Sequence, residues 1–510
     1  MNLIPLYVIL PLGCVLLILI LGRWIKFIGE VLLNLVLAFL LGLTIYFLFN
    51  KNIFIYKVGG WGIVNGVPIG IFLVMDGLTK FILLVISIVG LCSSLFSISY
   101  IKKFTVSDKY YALFSLMLTG MNGAVISGDL FNIFVFVEIA AIASYALVAF
   151  GIRKEELEAS FKYQVMGGLS SMMILLGIGI IYWKYSTLNI ADIGNLIRNT
   201  GTGKPIYFVQ ALFLMGFALK SALVPFHSWL PDAHSSAPSP ISSMLSGVLI
   251  KSIGLYVIIR LFFNMFLVSY NFAIVFTVLG VFSMVIGVIL AIGQWDIKRL
   301  LAYHSISQMG YIVTAIGIGL LLFAKRGDTS VAALSIFGGL FHLFNHAIFK
   351  GLLFLTAGSV EYQTDERDMR KIGGLAKQMP ITSLSSFIGS MAIAGIPPFN
   401  GFFSKLVIII AGIKAHYYLI SLIYVIVSIL TLASFLKLQR YTFFEKSKLN
   451  LGNVKESPFS MILGMVILAI LCIITSSFVI PEIRGRVISP AVKILVELGN
   501  YSKYVLEASL

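Results

Sequence analysis

The chain has 510 residues, 59% of them hydrophobic and only 11% charged, with a formal net charge of +16. Soluble domains carry about 25% charged residues, so a water-soluble enzyme is excluded. The excess of Lys and Arg is not a nucleic-acid signature either, because these residues sit mostly in short segments between apolar runs, where the positive-inside bias of membrane proteins places them.

About fourteen apolar runs, each near the roughly 20 residues that cross a bilayer, follow one another from end to end. They cover approximately 3–22, 27–49, 77–100, 110–127, 129–150, 161–183, 206–224, 240–263, 271–293, 300–323, 332–357, 383–412, 417–437 and 459–480. The expected fold is therefore all-α and integral to the membrane. No small-residue cleavage site follows the first run, which reads as a retained span. Loops after odd-numbered runs hold Arg23 and Lys26; Lys102, Lys103 and Lys109; Arg153, Lys154 and Lys162; Lys298 and Arg299; Arg367, Arg370, Lys371 and Lys377; and Lys437, Arg440, Lys446, Lys448 and Lys455. Even-numbered loops hold fewer, which places both termini on the outer face of a cell (plasma) membrane. The longest polar stretch, about 358–379, is too short for a soluble domain.

Charged residues inside apolar runs are costly, and their default reading is functional. Glu138 lies near the middle of the fifth run, Lys220 late in the seventh, Lys251 in the middle of the eighth and Lys405 within the twelfth. The seventh run ends in VPFHSWLPDAHSSAPSP, with Pro225, Pro231, Pro238 and Pro240, and the twelfth is interrupted at AGIPPFNGF by Pro397 and Pro398. Proline frees backbone groups that protein or water must then satisfy, so both helices are expected to be broken. Two broken helices in corresponding positions suggest inverted repeats. Between the seventh and eighth runs lie Asp232 and His234, read either as a polar loop with Asp232 capping and His234 solvated, or as a proton entry or exit.

The eleventh run contains FHLFNHAIFKGLLFL, in which His342, His346 and Lys350 recur at i, i+4 and i+8 on one helix face. No Glu adjoins the first His and no third ligand is in sight, so zinc is not expected. A proton relay fits better, because His titrates near neutral pH. His304, Ser307 and Gln308 in the tenth run could extend that line. Lys251 lies between Gly247 and Gly254, a setting that would leave room for a water wire. The three cysteines, Cys14, Cys92 and Cys472, lie in separate runs with no CxxC, and neither a Walker A loop nor a GxGxxG motif is present. No redox cofactor, metal or nucleotide site is expected.

The segment LKSALVPFHSWLPDAHSSAPSPISSMLSGVLIKSIGLY resembles the signature of antiporter-like proton-translocating subunits. So do KRLLAYHSISQMGY, HLFNHAIFKGLLFL and AGIPPFNGFFSK. Such subunits occur in respiratory complex I, Mrp-type cation/proton antiporters and membrane-bound energy-converting hydrogenases. The resemblance covers about residues 70–440 and implies fourteen helices with two inverted five-helix repeats. The divisions would be 1–109 for the first three helices, 110–263 and 271–437 for the repeats, and 438–510 for the last helix and a tail. It further implies that Glu138 pairs with Lys220, that Lys251 is the central lysine and Lys405 the exit residue, and that His342 and His346 join the halves.

A lysine rather than a glutamate at position 405, and too short a tail for a lateral helix, make the chain most similar to the D-type member of Mrp antiporters and its hydrogenase counterpart. The alternatives are a complex I subunit of the N or M kind and a quinone-binding redox subunit. The implied partners are other membrane subunits, further antiporter-like subunits among them, and lipid. Protons are the expected cargo, with any Na⁺ carried elsewhere because acidic oxygen ligands are few in the membrane. No nucleic acid is expected.

Overall fold

A computed structural model describes residues 3–50, 52–64, 67–104, 107–447 and 454–507; Lys448, one of the basic loop residues, falls outside this set. Helices account for most of the described chain. The first half contains α1 (Leu6–Leu21), α2 (Ile28–Phe49), α3 (Gly77–Tyr100), α4 (Ser107–Ile126), α5 (Leu130–Val148), α6 (Lys154–Tyr185), α7 (Ile190–Thr200), α8 (Lys204–Lys220), α9 (Trp229–Ser236), α10 (Ser239–Met244) and α11 (Tyr256–Asn264). The second contains α12 (Tyr270–Ile292), α13 (Ile297–Ala324), α14 (Thr329–Thr364), α15 (Pro380–Ala394), α16 (Asn400–Lys414), α17 (Tyr418–Gln439) and α18 (Phe459–Ile474). Three short helices end it: α19 (Pro481–Val487), α20 (Ser489–Val496) and α21 (Asn500–Glu507). Among the described residues, ten helical stretches are long and apolar enough to cross a membrane.

The starts of many helices follow from capping. Asp76, Asp129, Asn189, Ser269, Asp296 and Asp328 each accept a backbone N–H from the first turn of the helix they precede, satisfying donors that no intrahelical partner reaches. Burial then sorts the bundle. The stretch Ser239–Asn264 is wholly buried, and α13 and α14 nearly so. Outward faces of α2, α6, α12 and α17 carry exposed apolar side chains such as Leu35, Met172, Phe282 and Ile429, as expected of surfaces that meet lipid or a partner subunit.

Several features depart from the sequence reading. Residues 358–364, taken there as polar stretch, continue α14. The loop between α2 and α3 forms two antiparallel ribbons, β1 (Phe54–Lys57) with β4 (Phe72–Met75) and β2 (Ile63–Val64) with β3 (Val67–Pro68). The tail is not loose: α20 packs on α3 and α21 on α7. Both expected breaks are present, at 221–228 between α8 and α9 and at 395–399 between α15 and α16, whereas Pro231 sits inside α9 and Pro240 in the first turn of α10. Between α10 and α11 the chain winds as a π-helix over Leu245–Leu255, a distortion that occurs frequently at functional sites.

Gly247 and Gly254 do not open space beside Lys251. A Cβ on Gly254 would collide with Ser221 Oγ, and one on Gly247 would meet Val89 and Ala347 at 3.2 and 3.3 Å. These glycines let helices touch, which corrects the water-wire reading of them.

Candidate functional site

In the first half, α5, α6 and α8 bring three side chains together. Lys220, the last residue of α8, donates from Nζ to Glu138 Oε1 at 2.9 Å and to Ser171 Oγ at 3.1 Å, while Ser171 Oγ donates to Glu138 Oε1 at 2.5 Å. A cation at a helix C-terminus also faces the negative end of the helix dipole. Exposure is unequal: the Lys220 side chain is 2% exposed and that of Glu138 26%. Glu138 shares a face of α5 with Phe131, Val135 and Ile142, all exposed, so the carboxylate stands on an outward apolar stripe. Ser171 was not picked out in the sequence. A serine among apolar residues carries no signal until its neighbours are known.

The centre holds Lys251, in the π-helix, and Lys350, on α14. Both are buried. Lys251 Nζ donates to the Ser246 carbonyl at 2.5 Å, and Lys350 Nζ to the Leu301 carbonyl. From Lys350 the face of α14 leads to His346 and His342, whose rings lie 6.5 Å apart and nearly parallel. His342 Nδ1 shares a hydrogen bond with Ser404 Oγ at 2.9 Å and Nε2 one with Gln308 Oε1 at 3.1 Å. Neither nitrogen of His346 has a hydrogen-bond partner among the described residues.

In the second half, Lys405 Nζ donates to the Ile393 carbonyl at 2.8 Å and to that of Ala394 at 3.4 Å. These carbonyls are released by the break after α15. The ammonium lies 4.9 Å from the centre of the Tyr311 ring, which in turn lies 5.5 Å from that of His342. The Tyr311 ring thus lies between His342 and Lys405, and Ser404 bonds to His342; both residues were missed by the sequence reading. Tyr311 lies three residues after Gln308 inside a motif already singled out.

The remaining candidates divide. His304 is fully buried, neither ring nitrogen partnered among the described residues, and its ring lies 4.8 Å from that of Phe435. Ser307 turns away, donating to the Met284 carbonyl at 2.9 Å. Asp232 belongs to a surface ion-pair group, at 3.0 Å from Lys162 and 2.9 Å from Arg299. His234 is not solvated: it is fully buried, both ring nitrogens without a hydrogen-bond partner among the described residues, and its ring packs against those of Trp229 and Phe354. Among the described residues no group of three or more His, Cys, Asp or Glu could hold a metal ion.

The arrangement can store and pass protons. Each titratable group lies against a hydroxyl, a carbonyl or another ring, and amine, imidazole and hydroxyl can each donate or accept when suitably protonated.

Comparison with known proteins agrees with this fold. Residues 127–431 match the family described as NADH:quinone oxidoreductase/Mrp antiporter, membrane region. The D-type member of the Na(+)/H(+) antiporter of Alkalihalophilus pseudofirmus is 34% identical over 78% of this chain and 78% of its own length. The N-type member of the NADH-quinone oxidoreductase of Desulforudis audaxviator is 32% identical over 75% of this chain and 74% of its own. Among solved structures, a chain of an archaeal membrane-bound sulfane sulfur reductase superposes with a TM-score of 0.86 at 30% identity, covering 99% of both chains. The chain belongs to the NADH:quinone oxidoreductase/Mrp antiporter membrane family and is a multi-pass membrane protein.

Proposed function

We propose that this chain carries protons as one membrane subunit of a multi-subunit complex, along the axis Glu138, Lys220, Lys251, Lys350, His346, His342, Lys405. The observation that carries the reading is the junction of the last two: His342 bonds to Ser404, and the Tyr311 ring lies between His342 and Lys405, all inside an apolar bundle. Buried titratable groups cost stability unless paired, and a scaffold gains nothing from so many.

Glu138 and Lys220 stabilise each other's charged forms. A partner subunit seated on the outward stripe of α5 that draws Glu138 away would loosen the Lys220 proton, which then moves to Lys251 and along the histidines to Lys405. The titrations are coupled, so the proton belongs to the group rather than to one residue. The energy comes from outside this chain.

The host complex we favour is an Mrp-type antiporter or a membrane-bound respiratory complex built from the same subunit type. A complex I, with this chain in the place of its N-type member, is the second reading, supported by the 32% identity to such a protein. The setting is the plasma membrane, with both termini on its outer face. The repeats are 110–263 and 271–437, each contributing one broken helix.

The test is purification of a tagged chain in mild detergent, followed by reconstitution and proton-flux measurement with a pH-sensitive dye. Several co-purifying membrane subunits and proton movement under a driving reaction or ion gradient are expected. A lone polypeptide, or a complete complex that moves no protons, overturns the reading.

A further inference from the structure

A separate feature lies at the face opposite the basic loops. Both α13 and α18 start beside those loops and end at the other face, where α14 begins and the tail helices lie. There α20 packs on α14, and a groove of about 360 Å³ runs between these two helices and α19. Two helices each give it one face. From α14 come Ser330, Ala333, Leu334 and Phe337, and from α20 come Ser489, Val492, Lys493 and Val496, in both cases at i, i+3, i+4 and i+7. The short α19 adds Arg484.

The lining is apolar apart from two cations and two serines, and no carboxylate belongs to it. Neither cation is neutralised. Among the described residues Arg484 forms no ion pair; its guanidinium lies 5.3 Å from the centre of the Phe337 ring, a contact that occupies no oxygen acceptor. Lys493 has only a loose pair with Glu497, at 3.7 Å and largely exposed. The face opposite the basic loops is where the positive-inside bias leaves few cations, yet Arg484, Arg486 and Lys493 fall there within ten residues. Glu482 and Glu497 flank them, but neither lines the groove. The α14 wall covers about 10 Å along the helix. The interfacial layer of a bilayer is about 5–8 Å deep on each side, so the groove reaches from the headgroups to the acyl chains.

We propose that this groove holds one anionic phospholipid of the phosphatidylglycerol class, its phosphate between Arg484 and Lys493 and an acyl chain along the apolar faces of α14 and α20. The charge pattern selects the headgroup. A guanidinium offers a fork of donors that fits phosphate, and an ammonium adds a point charge. A lipid with its own ammonium would need a carboxylate partner, which the lining lacks. The apolar walls give free phosphate nothing to bury and an acyl chain a great deal. Seated there, the lipid joins the tail helices to α14, which also carries His342, His346 and Lys350. The surface is one the proposed proton axis does not use, so the site stands or falls independently of that axis.

The experiment uses the complete complex in phosphatidylcholine vesicles. These carry a trace of either phosphatidylglycerol or phosphatidylcholine bearing the same diazirine on one acyl chain. After illumination, attached peptides are mapped by mass spectrometry. The phosphatidylglycerol probe should attach within 330–337 and 489–496 at least fivefold more than the phosphatidylcholine probe, and excess inorganic phosphate should not displace it. Arg484→Gln combined with Lys493→Gln should remove most of that preference in an assembled complex. Arg23→Gln combined with Lys26→Gln, at the opposite face, should leave it intact. Equal attachment of the two probes to the wild type would mean an unselective lipid contact and overturn the proposal. Displacement by phosphate would mean an anion seat without a lipid and do the same. Attachment of neither probe, the result if a neighbouring subunit fills the groove, also overturns it. Should the Arg484 and Lys493 variant fail to assemble, the comparison of the two probes on the wild type decides alone.

Discussion

The Glu138–Lys220 pair sets a measurable scale. Glu138→Gln preserves shape and can still accept the Ser171 hydroxyl, but removes the charge 2.9 Å from Lys220 Nζ. Two unit charges about 4 Å apart at an effective dielectric of about 20 attract by about 4 kcal/mol. Glu138 is about a quarter exposed, so screening brings the figure to about 2 kcal/mol, a factor of roughly 30 in the stability of charged Lys220. If that charge must form in every cycle, turnover should fall ten- to thirtyfold while the complex still assembles, because the outward stripe of α5 is otherwise unchanged. The assay is dye-monitored proton uptake in vesicles with subunit content fixed by immunoblot. Full uptake in Glu138→Gln at normal subunit level would refute the assigned role. Equal loss in Ser171→Ala, which keeps the charge, would point to hydrogen bonding rather than charge.

Three further outcomes follow from other contacts. His346→Leu should assemble normally, because it breaks no hydrogen bond to the described residues, yet pass protons severalfold more slowly; His342→Leu should also lose stability by about 1–3 kcal/mol for the polar partner it strands, here Gln308, since Ser404 keeps the Gly401 carbonyl, and unaltered flux in His346→Leu would remove that residue from the path. Asp76→Asn breaks a fully buried bidentate pair with Arg260, whose two bonds are 2.6 and 2.9 Å, and should cost about 3–5 kcal/mol; adding Arg260→Met should recover part of the lost melting temperature, and no recovery would show that Arg260 is held by its other contacts. Burial pushes the Asp129 carboxyl up to about 6 against its capping bonds; the folded state therefore binds this proton more tightly than the unfolded one, and stability from this group falls as pH rises from about 4 to 6. Asp129→Asn should match wild type in melting temperature near pH 4 and exceed it at pH 7, and the opposite order would refute the sign.

How much of this was legible in one dimension depends on the kind of signal. A carboxylate or amine inside twenty apolar residues stands out without any structure, so Glu138, Lys251 and Lys405 were visible. Their connections were not. Ser171, Tyr311 and Ser404 are ordinary residues in a membrane helix and gain meaning only from what packs beside them. The end of α14 escaped because the helix runs seven residues further than its apolar pattern, and charges there read as loop. The π-helix over Leu245–Leu255 has no punctuation at all: LSGVLIKSIGL would serve equally well as α-helix, and tertiary packing decides. Glycine was misread for a related reason. Next to a charge it looked like space, whereas Gly254 is where Ser221 presses against the helix. Short amphipathic pieces such as α7 and α21 were invisible to a search for runs of membrane length.

The two buried lysines, alike in composition, are separated by their surroundings. Lys251 is enclosed by a wholly buried helix and its ammonium touches one carbonyl, that of Ser246. Lys405 lies in the second turn of α16 and its ammonium reaches back to the end of α15, where a recess of about 220 Å³ is lined by Gly395, Phe402, Leu406, Val425 and Ser428. The first position suits a relay that must gain and lose its proton without access to solvent, and the second suits a gate from which a proton departs. Arginine remains protonated in proteins, so Lys251→Arg should abolish flux even where the complex assembles. Lys405→Glu should retain part of it. A carboxyl there can take up and give back a proton, and Ser428 at the recess offers a polar neighbour on release. Lys405→Met, which cannot titrate, should be inactive and thereby separates titration from packing. Flux in all three variants is compared at equal assembly. Normal flux in Lys251→Arg would mean that position 251 supplies only a fixed positive field, and equal rates in Lys405→Glu and Lys405→Met would mean that no proton is held at position 405.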